Sequence, residues 1–178
     1  MYFLHMDSKL DEKDLAILNL LQKNCRMTAK EIAKKINSPV TTVFAKIKRM
    51  EQQEIIKEYR AILDHKKLGF GVTAFILASV SYGTRNKNEE TSLSQRVIAE
   101  QISKFPEVQE VHIISGDWDI LIKVKDRDVD AIGKFVVDKL RTVKGIEKTL
   151  TCMVFDTQKE TTMISIPLKI SGKMFSSF

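Results

Sequence analysis

A chain of 178 residues with 43% hydrophobic content is long enough for one ordinary domain or two small domains with packed cores. Its two cysteines, Cys25 and Cys152, are far apart and show no metal-ligand spacing, which argues against a disulfide framework and a zinc site and favours a reducing, cytoplasmic location. The N-terminal segment has no basic leader and no apolar run approaches the roughly 18 residues of a membrane span, so we expect neither export nor a membrane partner.

The net charge of +6 is distributed unevenly along the chain. Residues 1–68 hold 14 basic and 9 acidic side chains, whereas residues 69–178 hold 15 and 14. Between Arg26 and Met50, seven basic residues accompany a single acid, Glu31. This cluster favours a surface that binds phosphate groups, although the same composition also suits a solvated helical face that binds nothing.

Two short helices are predicted near the N-terminus. The segment LDEKDLAILNLLQKN has Asp11 at an N-cap position and apolar residues at helical spacing. The segment MTAKEIAKKIN contains a capping box, Thr28 with Glu31, and ends at Asn37, a residue type that tolerates the left-handed conformation after a helix.

A third helix follows directly, with Ser38 as its predicted N-cap and Pro39 at its first helical position. Two helices joined by so short a turn cross steeply, which is the helix-turn-helix arrangement. The third helix has an apolar stripe expected to pack on the first two, formed by Val40, Val43, Ile47 and Met50. Its other side is basic or small and polar, as contacts with base edges and phosphates require. We therefore predict binding to double-stranded DNA through Lys30, Ser38, Val40, Thr41, Thr42, Ala45, Lys46, Lys48 and Arg49.

After Glu54 the residues alternate between apolar and polar, which predicts a hinge strand or linker within residues 56–70. The pattern then predicts strands at residues 72–81, 108–115, 118–125 and 146–155, helices at 94–105 and 129–143, and a polar loop after the first strand. This βαββαβ order places both helices on one face of an antiparallel sheet. The predicted fold class is α+β, with an N-terminal helix-turn-helix domain at residues 10–55, a C-terminal ferredoxin-like domain at 71–156 and an extension at 157–178.

The last predicted strand carries apolar residues on both sides. Leu150, Cys152 and Val154 point one way, and the other set consists of Thr149, Thr151, Met153 and Phe155. A sheet face open to water would be polar, so we expect the second set to pack against the sheet of an identical chain. The sequence thus predicts a homodimer.

Three successive segments resemble the Lrp/AsnC family of transcriptional regulators, also called leucine-responsive or feast/famine regulators. LDEKDLAILNLLQKNCRMTAKEIAKKI is similar to the family's first two helices, and VFAKIKRMEQQEIIKEYRAILDHKKLG to its recognition helix and hinge. FPEVQEVHIISGDWDILIKVKDRDVDAIGKFVVDKLRTVKGIEKTLTCMVF is similar to its effector domain, called RAM. The resemblance covers about residues 10–156, with Glu54 and Glu58 standing where the family usually has glycine. It implies a cytoplasmic, sequence-specific DNA-binding regulator that forms dimers or octamers.

The resemblance also implies a small effector, commonly an amino acid, bound between dimers near the GDWD turn and the last strand. A carboxylate there can hold an ammonium group, and turn N–H groups and threonine hydroxyls can hold a carboxylate. Alternatively, Gly116 and Asp117 simply form a tight turn. The residues implied for the effector are His112, Gly116, Asp117, Trp118, Asp119, Thr149 and Thr151.

Other functional classes find less support in the residues. His5, His65 and His112 lie near no Ser or Cys in a nucleophile motif, and no Gly-rich phosphate loop is present, so we expect no enzyme activity, no metal and no cofactor besides the effector. RNA-recognition domains share the βαββαβ topology, but no strand carries their aromatic run. An RNA-binding protein or a regulatory subunit of an amino-acid metabolic enzyme stays the alternative.

Overall fold

The computed structural model describes residues 10–81, 94–166, 168–170 and 173–175, so the predicted polar loop lies outside the described residues. The chain divides into two compact units. One consists of the residues up to Ile62 together with those from Glu160, and the other of Leu63–Lys159.

The first unit contains α1 (Glu12–Lys23), α2 (Ala29–Lys35) and α3 (Val40–Gln52). The three helices pack around a common core, formed by Ile17, Leu21, Ile32, Ala33, Val43 and Met50. Only residues 36–39 separate α2 from α3, so the predicted helix-turn-helix arrangement is confirmed. Within the described residues, no helix has the length and apolar content to cross a bilayer.

Both N-terminal helices begin with the predicted caps. Asp11 accepts a hydrogen bond from the Asp14 N–H (2.8 Å), and the Asp14 carboxylate accepts one from the Asp11 N–H (2.9 Å). Thr28 and Glu31 form the same reciprocal pair at 3.2 and 2.7 Å. Asn37, which follows α2, has the left-handed φ of 47° that its position predicted.

The start of α3 differs from the prediction. Pro39 is the N-cap, so the helix begins at Val40, and no side chain caps it. The first intrahelical bond runs from the Val43 N–H to the Pro39 carbonyl (3.1 Å), which leaves Ser38 one residue too early to cap the first turn. The Ser38 hydroxyl instead accepts a hydrogen bond from Lys13 Nζ at 3.4 Å.

The second unit is an antiparallel sheet of four strands: β1 (Val72–Val80), β2 (Val108–Ile113), β3 (Ile120–Asp126) and β4 (Ile146–Met153), in the order β2-β3-β1-β4. The helices are α4 (Gln95–Ser103) and α5 (Val129–Lys134), and α5 continues as a π-helical turn, Phe135–Lys139, and a 3-10 turn, Leu140–Thr142. The buried residues of these helical segments form one core with alternate residues of β1 and β3. The βαββαβ prediction and the α+β fold class are confirmed.

The open face of the sheet is built from a different set of β4 residues than predicted. Thr149 and Thr151 lie opposite Ala78 and Ile76 of β1, which are fully buried beneath the helices. Residues directly opposite each other share a face, so the threonines point towards the helices. Leu150 lies opposite Leu77 and points to the open face. The predicted assignment of the two faces is therefore reversed.

The linker is the second element that departs from the prediction. Residues 57–64 form no strand and are exposed throughout. The alternation of apolar and polar residues gives such a segment the potential for β structure, but a strand needs a hydrogen-bonded neighbour, and none of the described segments pairs with it.

From Glu160 onwards, the C-terminal extension belongs to the first unit. The Gln22 side-chain amide donates to the Ile164 carbonyl (3.1 Å) and accepts from the Ile164 N–H (2.7 Å), and Asn19 Nδ2 donates to the Ile166 carbonyl (3.3 Å). Near the C-terminus, β5 (Leu168–Ile170) and β6 (Lys173–Phe175) form a two-stranded antiparallel sheet.

Candidate nucleic-acid interface and ligand region

Helix α3 presents one exposed face along its first three turns. Val43 and Met50 are buried in the core, and Ile47 packs against it. Val40, which the sequence pattern placed on the apolar stripe, is 46% exposed and lies on the outer face instead. We call this the outer face of α3; it consists of Val40, Thr41, Phe44, Ala45 and Lys48. Thr42 is half-buried at its edge.

Two of the predicted DNA-contacting cations form ion pairs with Asp14 within the first unit. This aspartate is 1% exposed. Lys46 Nζ lies 3.0 Å from one Asp14 oxygen and 2.5 Å from Asp11, and Arg49 Nη2 lies 2.7 Å from the other Asp14 oxygen. We call these four residues the Asp14 cluster. The Lys46 side chain is 14% exposed, and its ion pairs connect α3 to α1. This geometry does not support the predicted contact between Lys46 and a phosphate.

The Asp14 cluster shifts two pKa values. Hydrogen bonds from Lys46 and from the Asp14 N–H lower the pKa of Asp11 from 3.8 to about 2. Burial by itself lowers the pKa of Lys46, but its hydrogen bonds to Asp11 and Asp14 outweigh this effect and raise that pKa. Both groups are therefore ionised at neutral pH, and the cluster is a set of charge-assisted hydrogen bonds.

The remaining basic residues still form an exposed positive surface. Lys30, Lys34 and Lys35 of α2 are exposed, as is Lys48 of α3. The one acid of this stretch, Glu31, accepts hydrogen bonds from the Thr28 N–H and hydroxyl, which lower its pKa. These lysines and the outer face of α3 together give a surface that suits a polyanion.

In the second unit, the GDWD turn is a tight closure between β2 and β3. The Ile114 N–H donates to the Asp119 carbonyl (2.9 Å), and the Asp119 N–H donates to the Ala78 carbonyl (3.0 Å). Gly116 has a φ of 117°, which favours glycine, and Asp117 is exposed. The Asp119 carboxylate accepts from the Val80 N–H (2.8 Å) and from Gln95 Nε2 (2.6 Å). Asp119 thus ties β1 to α4.

A basic surface lies near this turn; we call it the rim, and it consists of Arg141, Lys148 and Thr149. Lys148 Nζ is 5.4 Å from the centre of the Trp118 ring, a cation–π contact. Thr149 accepts long hydrogen bonds of 3.4 Å from Nε and Nη2 of Arg141. An open depression of about 390 Å³ is lined by Arg141, Ile146, Glu147, Lys148 and Thr149.

Two of the predicted effector residues lie away from this rim. His112 is exposed on the open face of the sheet, where its Nε2 lies 3.3 Å from Glu110, and Glu110 also accepts from Lys123 (2.9 Å). Thr151 lies on the same helix-covered side as Thr149 but two residues further along β4, and it does not line the depression. Of the predicted set, Trp118 therefore contacts this rim through Lys148, and Thr149 belongs to it and contacts Arg141, while Gly116 and Asp117 lie in the tight turn before Trp118.

Two family models match the chain. The Lrp/AsnC ligand binding domain matches residues 73–164, and a winged helix-turn-helix DNA-binding domain matches residues 10–57. An uncharacterized HTH-type transcriptional regulator of Pyrococcus abyssi is 42% identical over 151 residues, which are 85% of this chain and 96% of that protein. The chain belongs to the Lrp/AsnC family.

Other Lrp/AsnC relatives extend the likeness along both units. The transcriptional regulator AzlB of Bacillus subtilis is 34% identical over 92% of this chain and 98% of its own. A Neisseria meningitidis transcriptional regulator solved as a complex with L-Met has a TM-score of 0.77 and 26% identity, over 88% of this chain and 96% of its own. Escherichia coli AsnC has a TM-score of 0.75 and 26% identity, over 87% and 98%. This Lrp/AsnC protein is a DNA-binding transcriptional regulator with a ligand-binding domain.

Sequence reasoning missed three residues of these surfaces. Phe44 was absent from the predicted contacts, although its position next to Val43 and off the stripe of Val43, Ile47 and Met50 signals an outward side chain. Arg141 and Lys148 were missed because their contacts, Arg141 with Thr149 and Lys148 with Trp118, form only in the folded Lrp/AsnC domain. Among the described residues, no group of three or more His, Cys, Asp or Glu side chains is placed to hold a metal ion.

Proposed function

We propose that this Lrp/AsnC regulator acts in the cytoplasm as a homodimer, or as a ring of dimers, whose two α3 helices enter successive major grooves of a pseudo-palindromic operator. The observation that carries the proposal is the outer face of α3, which is exposed, contains a threonine near the helix start and is accompanied by exposed lysines. Short side chains near the helix start can approach base edges, and lysines can reach phosphates. In this arrangement Thr41 and Ala45 contact bases, and Lys30 and Lys48 contact the backbone.

The open face of the sheet supports the dimer. Leu121, Leu77 and Leu150 lie side by side on β3, β1 and β4, and Phe75 and Cys152 form the adjacent pair. We call these five residues the apolar row. Leu150 is 46% exposed. An apolar row at the centre of a sheet face is best covered by the same face of a second copy, because a two-fold axis needs only one self-complementary surface.

The rim near the GDWD turn supports an amino-acid effector. Arg141, Lys148 and Thr149 supply donors for a carboxylate, and exposed Asp117 supplies an acceptor for an ammonium group. The complex of the Neisseria meningitidis relative with L-Met supports this ligand class. A second dimer next to this rim would complete the site. The effector then regulates by binding one assembly state more tightly than the other, because only differential affinity shifts an equilibrium.

Isothermal titration of the full-length protein against the twenty amino acids tests the effector. Arg141→Gln and Asp117→Asn should each weaken the binding of the amino acid that gives heat by about tenfold, the loss of one charge-assisted hydrogen bond. Asp117 is the better probe than Asp119, because both oxygens of Asp119 already accept hydrogen bonds within the fold. Asp130→Asn, an exposed change on α5, is the matched control. Equal affinities in all three variants would exclude this rim as the site.

Filter binding with duplex DNA, double-stranded RNA and single-stranded RNA tests the nucleic acid. We expect salt-dependent binding to duplex DNA that Lys48→Gln weakens on every sequence, and Thr41→Ala weakens mainly on the operator. Preferential binding to either RNA would contradict the proposal.

A further inference from the structure

The outer face of α3 has few side chains that make paired hydrogen bonds with bases. Arginine or lysine with guanine, and asparagine or glutamine with adenine, are the contacts that give the strongest base discrimination in the major groove. Among these residue types the outer face has only Lys48, at its end. Arg49 follows, but its guanidinium donates to buried Asp14 at 2.7 Å. Hydrogen bonding from the first two turns of this face to base edges therefore comes from threonine hydroxyls.

What the outer face offers instead is an apolar ridge. Phe44 is 61% exposed and Val40 is 46% exposed, and neither is a member of the core of the first unit. Their spacing of four residues stacks them on one side of α3, and Lys48 continues the same line by a further turn. Phe44 and Val40 are neighbours on one exposed face, and adjacent exposed apolar side chains are more informative than isolated ones.

The surroundings of this ridge select its partner. Lys30, Lys34, Lys35 and Lys48 are exposed in the same helix-turn-helix unit, and the carboxylate of Glu31 is engaged in its helix cap. A partner that covers Phe44 must therefore be a polyanion that also offers apolar groups at the depth of the ridge. Duplex DNA meets both requirements, because the C5-methyl group of thymine is the apolar group that projects into the major groove.

We infer that Phe44, together with Val40, packs against thymine methyl groups of the operator and so sets the base preference of this regulator. The inference rests on the proposed function, in which α3 enters the major groove. It assigns selectivity for A·T pairs at these positions to apolar contact. The hydrogen-bonding edge of the thymine is not needed for this part of the selectivity.

Replacing thymine by uracil tests this contact, because uracil keeps the hydrogen-bonding edge and lacks only the methyl group. The operator is first selected from random duplexes with the wild-type protein. It is then synthesised with thymine or with uracil throughout both half-sites. Wild-type protein should bind the uracil duplex about 5–10-fold more weakly. Phe44→Ala should lower the ratio of thymine to uracil affinities, the double variant Val40→Ala/Phe44→Ala should abolish the difference, and the affinity of Phe44→Ala for random DNA should match that of the wild type.

Two controls separate this role from a structural one. Phe44→Ala should melt at the wild-type temperature, because the ring is outside the core. Phe155→Ala removes a fully exposed ring from the other unit and should keep the wild-type ratio of thymine to uracil affinities.

Sequence-selective binding with equal thymine and uracil affinities in the wild type would overturn this inference and leave the proposed function intact. The inference would also be overturned if Phe44→Ala kept the wild-type ratio of thymine to uracil affinities, or if this variant changed its association state in the absence of DNA. Failure to bind duplex DNA would remove the proposed function as well.

Discussion

At the scale of a single residue, Asp14 of α1 holds α3 in place through ion pairs. Its two oxygens receive Lys46 and Arg49, and one of them also accepts from the Asp11 N–H. Asp14→Asn should lower the free energy of unfolding by about 2 kcal/mol, because a buried acceptor of two cations becomes a neutral amide. This loss is below the roughly 3–5 kcal/mol of a fully buried ion pair because Arg49 is 42% exposed and stays partly solvated.

Urea unfolding followed by circular dichroism measures this change. Asp130→Asn is the matched control, since its partner Lys134 lies 2.7 Å away in an exposed pair on α5. That variant should leave the urea midpoint near the wild-type value. Equal stabilities of the Asp14 and Asp130 variants would show that the Asp14 cluster adds nothing to the fold.

Asp11 gives the Asp14 cluster a defined pH dependence. Its pKa in the folded protein is about 2, below the ordinary value of 3.8. The ionised carboxylate therefore stabilises the fold above pH 3.8, and this contribution is lost as the pH falls through 2. Titration of the side-chain carboxyl by NMR should find this pKa, and Lys46→Gln should move it back towards 3.8. Lys23→Gln, at the far end of α1, should leave it unchanged. A wild-type midpoint near 3.8 would contradict the hydrogen bond from Lys46 in solution.

At the scale of elements, the parts predicted correctly are those that neighbours in the sequence decide. The caps of α1 and α2 need only residues three positions apart, and the left-handed Asn37 needs only the end of α2. The start of α3 was missed by one residue, because Ser38 and Pro39 both suit a helix start and only the observed backbone distinguishes them.

Features decided by distant partners were the ones that the sequence left open or assigned wrongly. Apolar residues occupy both sides of β4, and the covered side is fixed by pairing with buried Ile76 and Ala78 of β1. The sequence spacing places Lys46 beside the recognition face, but its ammonium group pairs with Asp14, which lies 32 residues earlier in the chain. Asp119 lies in a turn that suits a ligand, yet Val80 and Gln95 occupy its oxygens.

The open face of the sheet is the element on which the proposed dimer depends. Leu150→Lys places a charge in the apolar row, and burying that charge between two copies should weaken association by about 100-fold or more. Light scattering after size exclusion at micromolar concentration should then report a monomer. Val137→Lys is the control, because Val137 is 57% exposed but belongs to the helical layer on the other face. A dimer that tolerates Leu150→Lys would move the interface elsewhere.

For the whole molecule, two recognition helices held in one dimer should read their half-sites at a fixed helical phase. Inserting 5 base pairs between the half-sites turns one of them to the opposite side of the duplex, and inserting 10 returns it. The first insertion should lower affinity by about 100-fold, towards that of a single half-site, and the second should restore most of it. Gel-shift titrations of the selected operator measure both affinities.

The same duplexes tested with Leu150→Lys provide the control, because a monomer should bind both insertions equally. Residues 57–64 are exposed and form no strand in a single chain. If both insertions lowered the affinity of the dimer equally, these residues would only connect the two units and would not hold the recognition helices in phase. Helical phasing in the dimer would instead require the linker to become ordered when two chains associate.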